Sequence, residues 1–275
     1  MNCMKINKEE IDELAERVVE KYSSTIPINP IEIAAKINVN VIAECYGHYF
    51  KGFICYNGTQ FIIILNLDRL KDLSYAISRY TFSHELGHYF IGSHRKRLKQ
   101  GESFAFIGRD LIPPDKKIVE KEAEQFAASL LMPKTKFVSF YKKLNKNGFS
   151  AIIGLKTYFN VSVTSAAIRF VDLNLAPCIT IMWKEEGIIN KGVSKSFYTL
   201  VNNESLEFKL NPNRPTFDEI KVCHEASGIE YTRLITPLSS WTYNLSKGFA
   251  NQFFLTEETL YFKRANLTIL YPNHK

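Results

Sequence analysis

The sequence contains no apolar run long enough to cross a bilayer. The longest, such as Phe61–Leu67 (FIIILNL), fall far short of the ~20 residues that a spanning helix needs, so no membrane association is expected. The first residues, MNCMKINKEEIDELAERVV, are charged and amphipathic and lack the apolar centre of a secretory leader. Cysteine is sparse and shows no pairing pattern. The five residues Cys3, Cys45, Cys55, Cys178 and Cys223 form no CxxC, and their odd number argues against a disulfide framework. Reduced thiols in a cytoplasmic setting fit better. Internal repeats and low-complexity tracts are also missing, which excludes solenoid and disordered classes.

What is there is ordinary globular material. Of 275 residues, 45% are apolar and 23% charged, enough for a sizeable core in one large or two modest domains. Lys and Arg number 35 against 28 Asp and Glu, a net charge of +7 that mildly favours acidic partners. The one concentrated basic patch, His94–Lys99 (HRKRLK), reads as a solvated loop rather than a nucleic-acid contact.

Helical periodicity marks NKEEIDELAERVVEKY, where Asn7 suits an N-cap and Ile11, Leu14, Val18 and Tyr22 share a face. A short helix from Pro30 and a strand near Val39–Ala43 follow. KGFICYNGTQFIIILN predicts a hairpin, with Asn57-Gly58 as a tight turn. A long helix is expected from about Asp72 through Gly92, then a basic, loop-like stretch to Pro113-Pro114. DKKIVEKEAEQFAASLLM predicts another strong helix, capped by Asp115 and stopped by Pro133. KTKFVSFYKKL adds a helix, and LKTYFNVSVTSAAIRFVDL reads as helix, turn and helix. Beyond Asn174 short strand-like runs take over: CITIMWKEEGIINKG, SFYTLV, LEFKLN, WTYNLS and ETLYFKRANLTILYP. The expectation is an α+β chain with a boundary near 173. A mostly helical unit with a small N-terminal sheet spans 1–173, and a β-rich C-terminal region, suited to sensing or regulation, spans 174–275.

The chemistry concentrates in Thr81–Phe90, TFSHELGHYF. His84 and His88 stand at i and i+4, about 40° apart on one helix face, so both rings can ligate a single metal ion. Glu85 sits beside them, placed to reach a metal-bound water rather than the metal, and to shuttle its proton to a leaving amine. Gly87, a weak helix former, predicts a close approach there by a substrate or a neighbouring strand. A catalytic zinc keeps three protein ligands and one open position. In IVEKEAEQFAASLLMP, Glu120 and Glu124 again share a face, while Glu122 points elsewhere and Val119, Ala123, Phe126, Ala127, Leu130 and Leu131 form the docking stripe. Taken alone, EKEAE is an ordinary acidic helix start. Combined with HELGH it supplies Glu120 as third ligand and Glu124 as an acceptor that orients a ligand histidine.

These paired motifs resemble the ImmA/IrrE family of zinc metallopeptidases, bacterial and phage-encoded proteins of the zincin type. The resemblance runs from about residue 10 to 172, and FAASLLMP after the glutamate is its most specific part. It implies one Zn2+ held by His84, His88 and Glu120, with Glu85 as general base. It also implies cleavage of a protein partner, a DNA-binding transcriptional repressor of mobile-element or stress genes. Two departures stand out. Glu124 replaces the family's shorter Asn or Asp, and the segment between His88 and Glu120 is long and basic.

Other candidates weigh less. The second helix of the helix-turn-helix-like segment, near Ser162–Phe170, carries a single basic residue, Arg169, and reads as packing rather than DNA recognition. CHEASG at Cys223–Gly228 lacks a second histidine, and His48, His94 and His274 have no ligand spacing. Trp183 and Trp241 fit a core. Two functions remain open: a zinc endopeptidase cutting a regulator, and a zinc-binding sensor that keeps the fold and acts by binding. Oligomeric state, cleavage site and activating signal are not encoded in any motif.

Overall fold

Short polar side chains begin the first helices. Asn7 accepts from Glu9 N while Glu10 reaches back to Asn7 N, a capping box that starts α1 (Lys8–Tyr22). Asn29 caps α2 (Pro30–Lys36), whose first residue is a proline pre-set for helix. A computed structural model describes residues 7–70, 72–104, 114–203, 205–210, 221–225 and 228–273. The expected loop over 105–113 and the Asp115 cap lie outside the described residues or side chains, as does His274.

Three strands form the first sheet: β1 (Asn40–Glu44), β2 (Gly52–Tyr56) and β3 (Phe61–Asn66), in the order β1-β3-β2. β3 runs parallel to β1 and antiparallel to β2, and its central place explains its nearly unbroken apolar sequence. The hairpin register pairs Tyr56 with Phe61, so the turn has four residues rather than the expected tight pair. Asn57 Oδ1 accepts from Thr59 N and Gln60 N, and Gly58 takes a positive φ of 97°.

After the short α3 (Leu67–Leu70) come α4 (Ala76–Phe90) and α5 (Gly92–Lys99). The basic patch expected as a loop is therefore helical. α5 buries His94 and Leu98, Arg97 pairs with Glu102 at 2.6 Å, and Arg95 lies over the Tyr89 ring. α6 (Pro114–Leu131) docks through the expected stripe, with Val119, Ala123, Phe126, Ala127, Leu130 and Leu131 all buried. Losing a side chain such as Phe126 from this core would cost about 3–5 kcal/mol.

α7 (Lys134–Leu144), α8 (Gly148–Phe159) and α9 (Val163–Asp172) complete the helical part. On α9, Arg169 is 2% exposed, so its guanidinium is packed inward rather than offered to a phosphate. The chain divides into two compact units, Met1–Phe137 with Lys156–Ser162, and Val138–Leu155 with Val163–Lys275. In the first, Arg79 of α4 donates to the carbonyls of Ile28 at 2.6 Å, Phe159 at 3.2 Å and Asn160.

The second unit contains a six-stranded antiparallel sheet. Its strands are β4 (Ile179–Lys184), β5 (Gly187–Val193), β6 (Lys221–His224), β7 (Glu230–Pro237), β8 (Phe254–Tyr261) and β9 (Asn266–Pro272), in the order β5-β4-β9-β8-β7-β6. Trp183 and Trp241 are core residues, their indole N–H groups donating to Thr268 at 2.9 Å and Glu257 at 2.7 Å. Three strand-like runs fold otherwise: SFYTLV, WTYNLS and LEFKLN, the last as far as Leu210, where the described residues stop. SFYTLV lies almost wholly in the helix α10 (Lys195–Leu200), because Ser194 caps it by accepting from Phe197 N. WTYNLS contributes only a bridge, Phe208 to Thr242, and is followed by α11 (Lys247–Gln252). Buried Glu258 accepts from Phe149 N at 2.6 Å, Tyr271 at 2.8 Å and Arg233 at 2.5 Å.

Candidate metal centre

α4 buries polar residues where an ordinary core helix buries apolar ones: Ser78, Arg79, Ser83, Glu85 and His88 are all inside. Only Phe82 and Leu86 are large apolar residues on its buried side. A helix with that sequence stays folded by what it packs against, and α6 is its main neighbour. Gly87 makes the approach possible. A Cβ there would lie 3.2 Å from Ala123 Cα and from Ala123 O. The close neighbour predicted from Gly87 is thus a helix, rather than a strand or a substrate.

This packing gathers the three expected ligands. His88 Nε2 lies 3.2 Å from His84 Nε2, His84 Nε2 lies 3.2 Å from Glu120 Oε2, and His88 Nε2 lies 3.6 Å from Glu120 Oε1. Donors about 2.0–2.1 Å from one ion at tetrahedral angles stand about 3.3–3.4 Å apart, so the triangle fits a zinc-sized ion. Glu120 Oε1 is buried and makes no hydrogen bond among the described residues. A buried carboxylate oxygen without a donor is costly, and a cation at the centre of the triangle would satisfy it. Two imidazoles and one carboxylate form a donor set suited to a divalent transition metal.

Electrostatics distinguish the residues. Burial opposes protonation of His84, but the hydrogen bond it donates to Glu120 and the charges of Glu85, Glu120 and Glu124 outweigh it and raise its pKa. The acidic surround that favours a proton there favours a metal cation equally. His88 is held well below its ordinary value by burial, then by His84, His94 and Arg97. Burial pushes the Glu85 carboxyl up to about 7 against the pull of His84. Glu120 adds to the rise, and the Ile54 backbone N–H bonded to Glu85 lowers it. Glu85 is adjacent to the triangle without belonging to it.

Glu124 is half-buried, acts on His84 through its charge, and accepts from Tyr80 through its backbone carbonyl at 3.4 Å. The hydrogen-bonded support of His88 comes from elsewhere. His88 Nδ1 lies 3.2 Å from His94 Nδ1, and His94 Nε2 lies 2.9 Å from Glu122 Oε2. Sequence reasoning placed His94 on the surface and pointed Glu122 away, yet they are 1% and 8% exposed. Sequence spacing could not connect them, because His94 belongs to a separate helix that begins after the bend at Ile91. His224 pairs with Glu230 on the exposed face of β6 and β7, and His48 is exposed.

Comparison with known proteins identifies the family. Residues 34–171 match a peptidase family described as the IrrE N-terminal-like domain. The "Uncharacterized immunity region protein 2" of Bacillus phage phi105 is 34% identical over 119 residues, covering 43% of this chain and 65% of that protein. The chain thus matches somewhat less than two thirds of that relative's length. A solved "Mycobacterium tuberculosis transcriptional regulator" shares the fold at TM-score 0.52 and 12% identity, over 95% of this chain and 86% of that one. With half its length matched by the family and a phage immunity-region relative alongside, the chain belongs to the IrrE N-terminal-like peptidase family, as the resemblance to ImmA/IrrE proteins led us to expect.

Proposed function

We propose that this protein is a zinc-dependent endopeptidase that hydrolyses a peptide bond in a protein partner, a DNA-binding repressor. The convergence of His84, His88 and Glu120 beside a buried Glu85 carries the reading. His84, His88 and Glu120 would hold the zinc ion, which would acidify a water toward neutrality and polarise the substrate carbonyl. Glu85 takes the proton of the attacking water on its carboxylate and returns it to the leaving nitrogen. Its raised pKa suits a group that must both accept and release a proton near neutrality. Ile54 N–H orients the carboxylate while it does so. Glu124 adds negative charge near His84.

The repressor as substrate is supported by the family and by the phage immunity-region relative. Residues 1–173 would carry catalysis, and the β-rich region 174–275 would receive the controlling signal. No single described helix is long and apolar enough to cross a membrane.

Purified protein should contain one zinc per chain. Glu85→Gln should keep the metal and lose cleavage of the partner, whereas His84→Ala should lose the metal. Full cellular function of Glu85→Gln would replace this reading with a zinc-bound sensor that regulates by binding. Comparing the cellular proteins of strains carrying the wild type and Glu85→Gln would identify the substrate.

A further inference from the structure

We propose that His94 and Glu122 are positioning residues that fix the tautomer and ring angle of His88. They turn its Nε2 lone pair toward the metal position. The inference rests on the metal site proposed above and adds to it two residues outside the HExxH pattern.

Proton placement decides the matter. To ligate through Nε2, a neutral His88 must carry its proton on Nδ1. Nδ1 faces His94 Nδ1 at 3.2 Å, so His94 must accept there. Its own proton then sits on Nε2 and points at Glu122 Oε2, 2.9 Å away, a carboxylate that can only accept. One assignment satisfies all three groups. The reverse would set a lone pair of His94 against the Glu122 carboxylate. It would also turn an N–H of His88 into the triangle where a ligand atom is required.

Burial makes the arrangement consequential. His88, His94 and Glu122 are almost fully enclosed, so bulk water cannot readily replace a missing partner. Phe104 stacks on the His88 ring, with centroids 4.7 Å apart and planes 16° from parallel, which limits rotation about χ2. The extended residue Ile91, φ −70° and ψ 111°, turns the chain between α4 and α5 so that His94 returns alongside His88. The result is a carboxylate–histidine–histidine line ending at the metal position, one residue longer than the usual carboxylate–histidine support.

The test is zinc affinity by chelator competition on the full chain, with no substrate present. His94→Leu removes both hydrogen bonds and should weaken zinc binding roughly 10–100-fold. His94→Gln can accept from His88 and donate to Glu122, and should stay within about threefold of wild type. Zinc binding by His94→Leu as tight as wild type would overturn the inference. Should that variant not fold, zinc-loaded wild type with 15N-labelled histidines decides. His94 protonated on Nε2 supports the assignment, and protonation on Nδ1 refutes it. A wild-type chain that binds no zinc would instead remove the metal site itself, whatever His94 does.

Discussion

Gly87→Ala is the sharpest test of how α4 and α6, which carry the proposed ligands, are spaced. A Cβ at Gly87 would meet Ala123 Cα and O at 3.2 Å and Phe126 Cβ at 3.3 Å. Comfortable carbon contacts are about 3.5–4.0 Å, so α4 and α6 must part by roughly 0.5 Å. Gly87 lies between His84 and His88, and Ala123 is one turn beyond Glu120, so the displacement passes directly to the ligand triangle. Coordination bonds tolerate about 0.2 Å, and zinc affinity should fall at least about tenfold. Helix propensity acts the other way. Alanine gains about 1 kcal/mol over glycine, against an overpacking cost of about 1–3 kcal/mol. The metal-free variant should therefore melt close to wild type or somewhat below it. Chelator competition measures the affinity, and thermal unfolding with and without zinc measures the stability. A variant that gained the full propensity term and bound zinc unchanged would show that helix spacing does not depend on the missing side chain.

Other outcomes follow from the same contacts. Ser83 Oγ is buried without a hydrogen-bond partner among the described residues, so Ser83→Ala should leave stability unchanged or raise it by up to about 1 kcal/mol in urea titration. Burial pushes the Cys178 thiol up to about 12 from an ordinary 9.0, with Ser194 opposing. Its neutral form is the one the fold favours, so the linked stability is intact below pH 9 and is lost as pH rises toward 12. At pH 10 the loss is about 1.4 kcal/mol, and Cys178→Ala should flatten that part of the pH–stability curve. In native protein at pH 8, iodoacetamide should label exposed Cys45 and spare Cys178. Glu258→Ala strands Phe149 N, Tyr271 and Arg233 at once and should cost about 3 kcal/mol, read as a lower denaturant midpoint of the second unit.

Much of the candidate triangle is legible in the sequence because its parts are local. His84 and His88 are one turn apart, and Glu120 stands out through its partner motif and the apolar stripe that docks α6. His94 and Glu122 are invisible there. Their meeting depends on the turn at Ile91 and on the packing of α5 against α6, which no periodicity encodes. The C-terminal sheet shows the same limit. β9 and the end of β8 fall in the strand-like run ETLYFKRANLTILYP, whereas β6 has four residues and no pattern of its own. α10 has strand-like composition, and one capping serine outweighs it.

Arg79 adds a consequence measured in order of synthesis. Every side chain of the proposed site, from His84 to Glu124, leaves the ribosome before Phe159 and Asn160 do. Yet α4 is fastened at its start by a guanidinium whose acceptors include both of those late carbonyls. A nascent chain ending at Met132 would possess the complete ligand set and only one of these three anchors, Ile28. The helix that presents the histidines therefore gains two of these three anchors only after the peptide carrying the proposed site has been made.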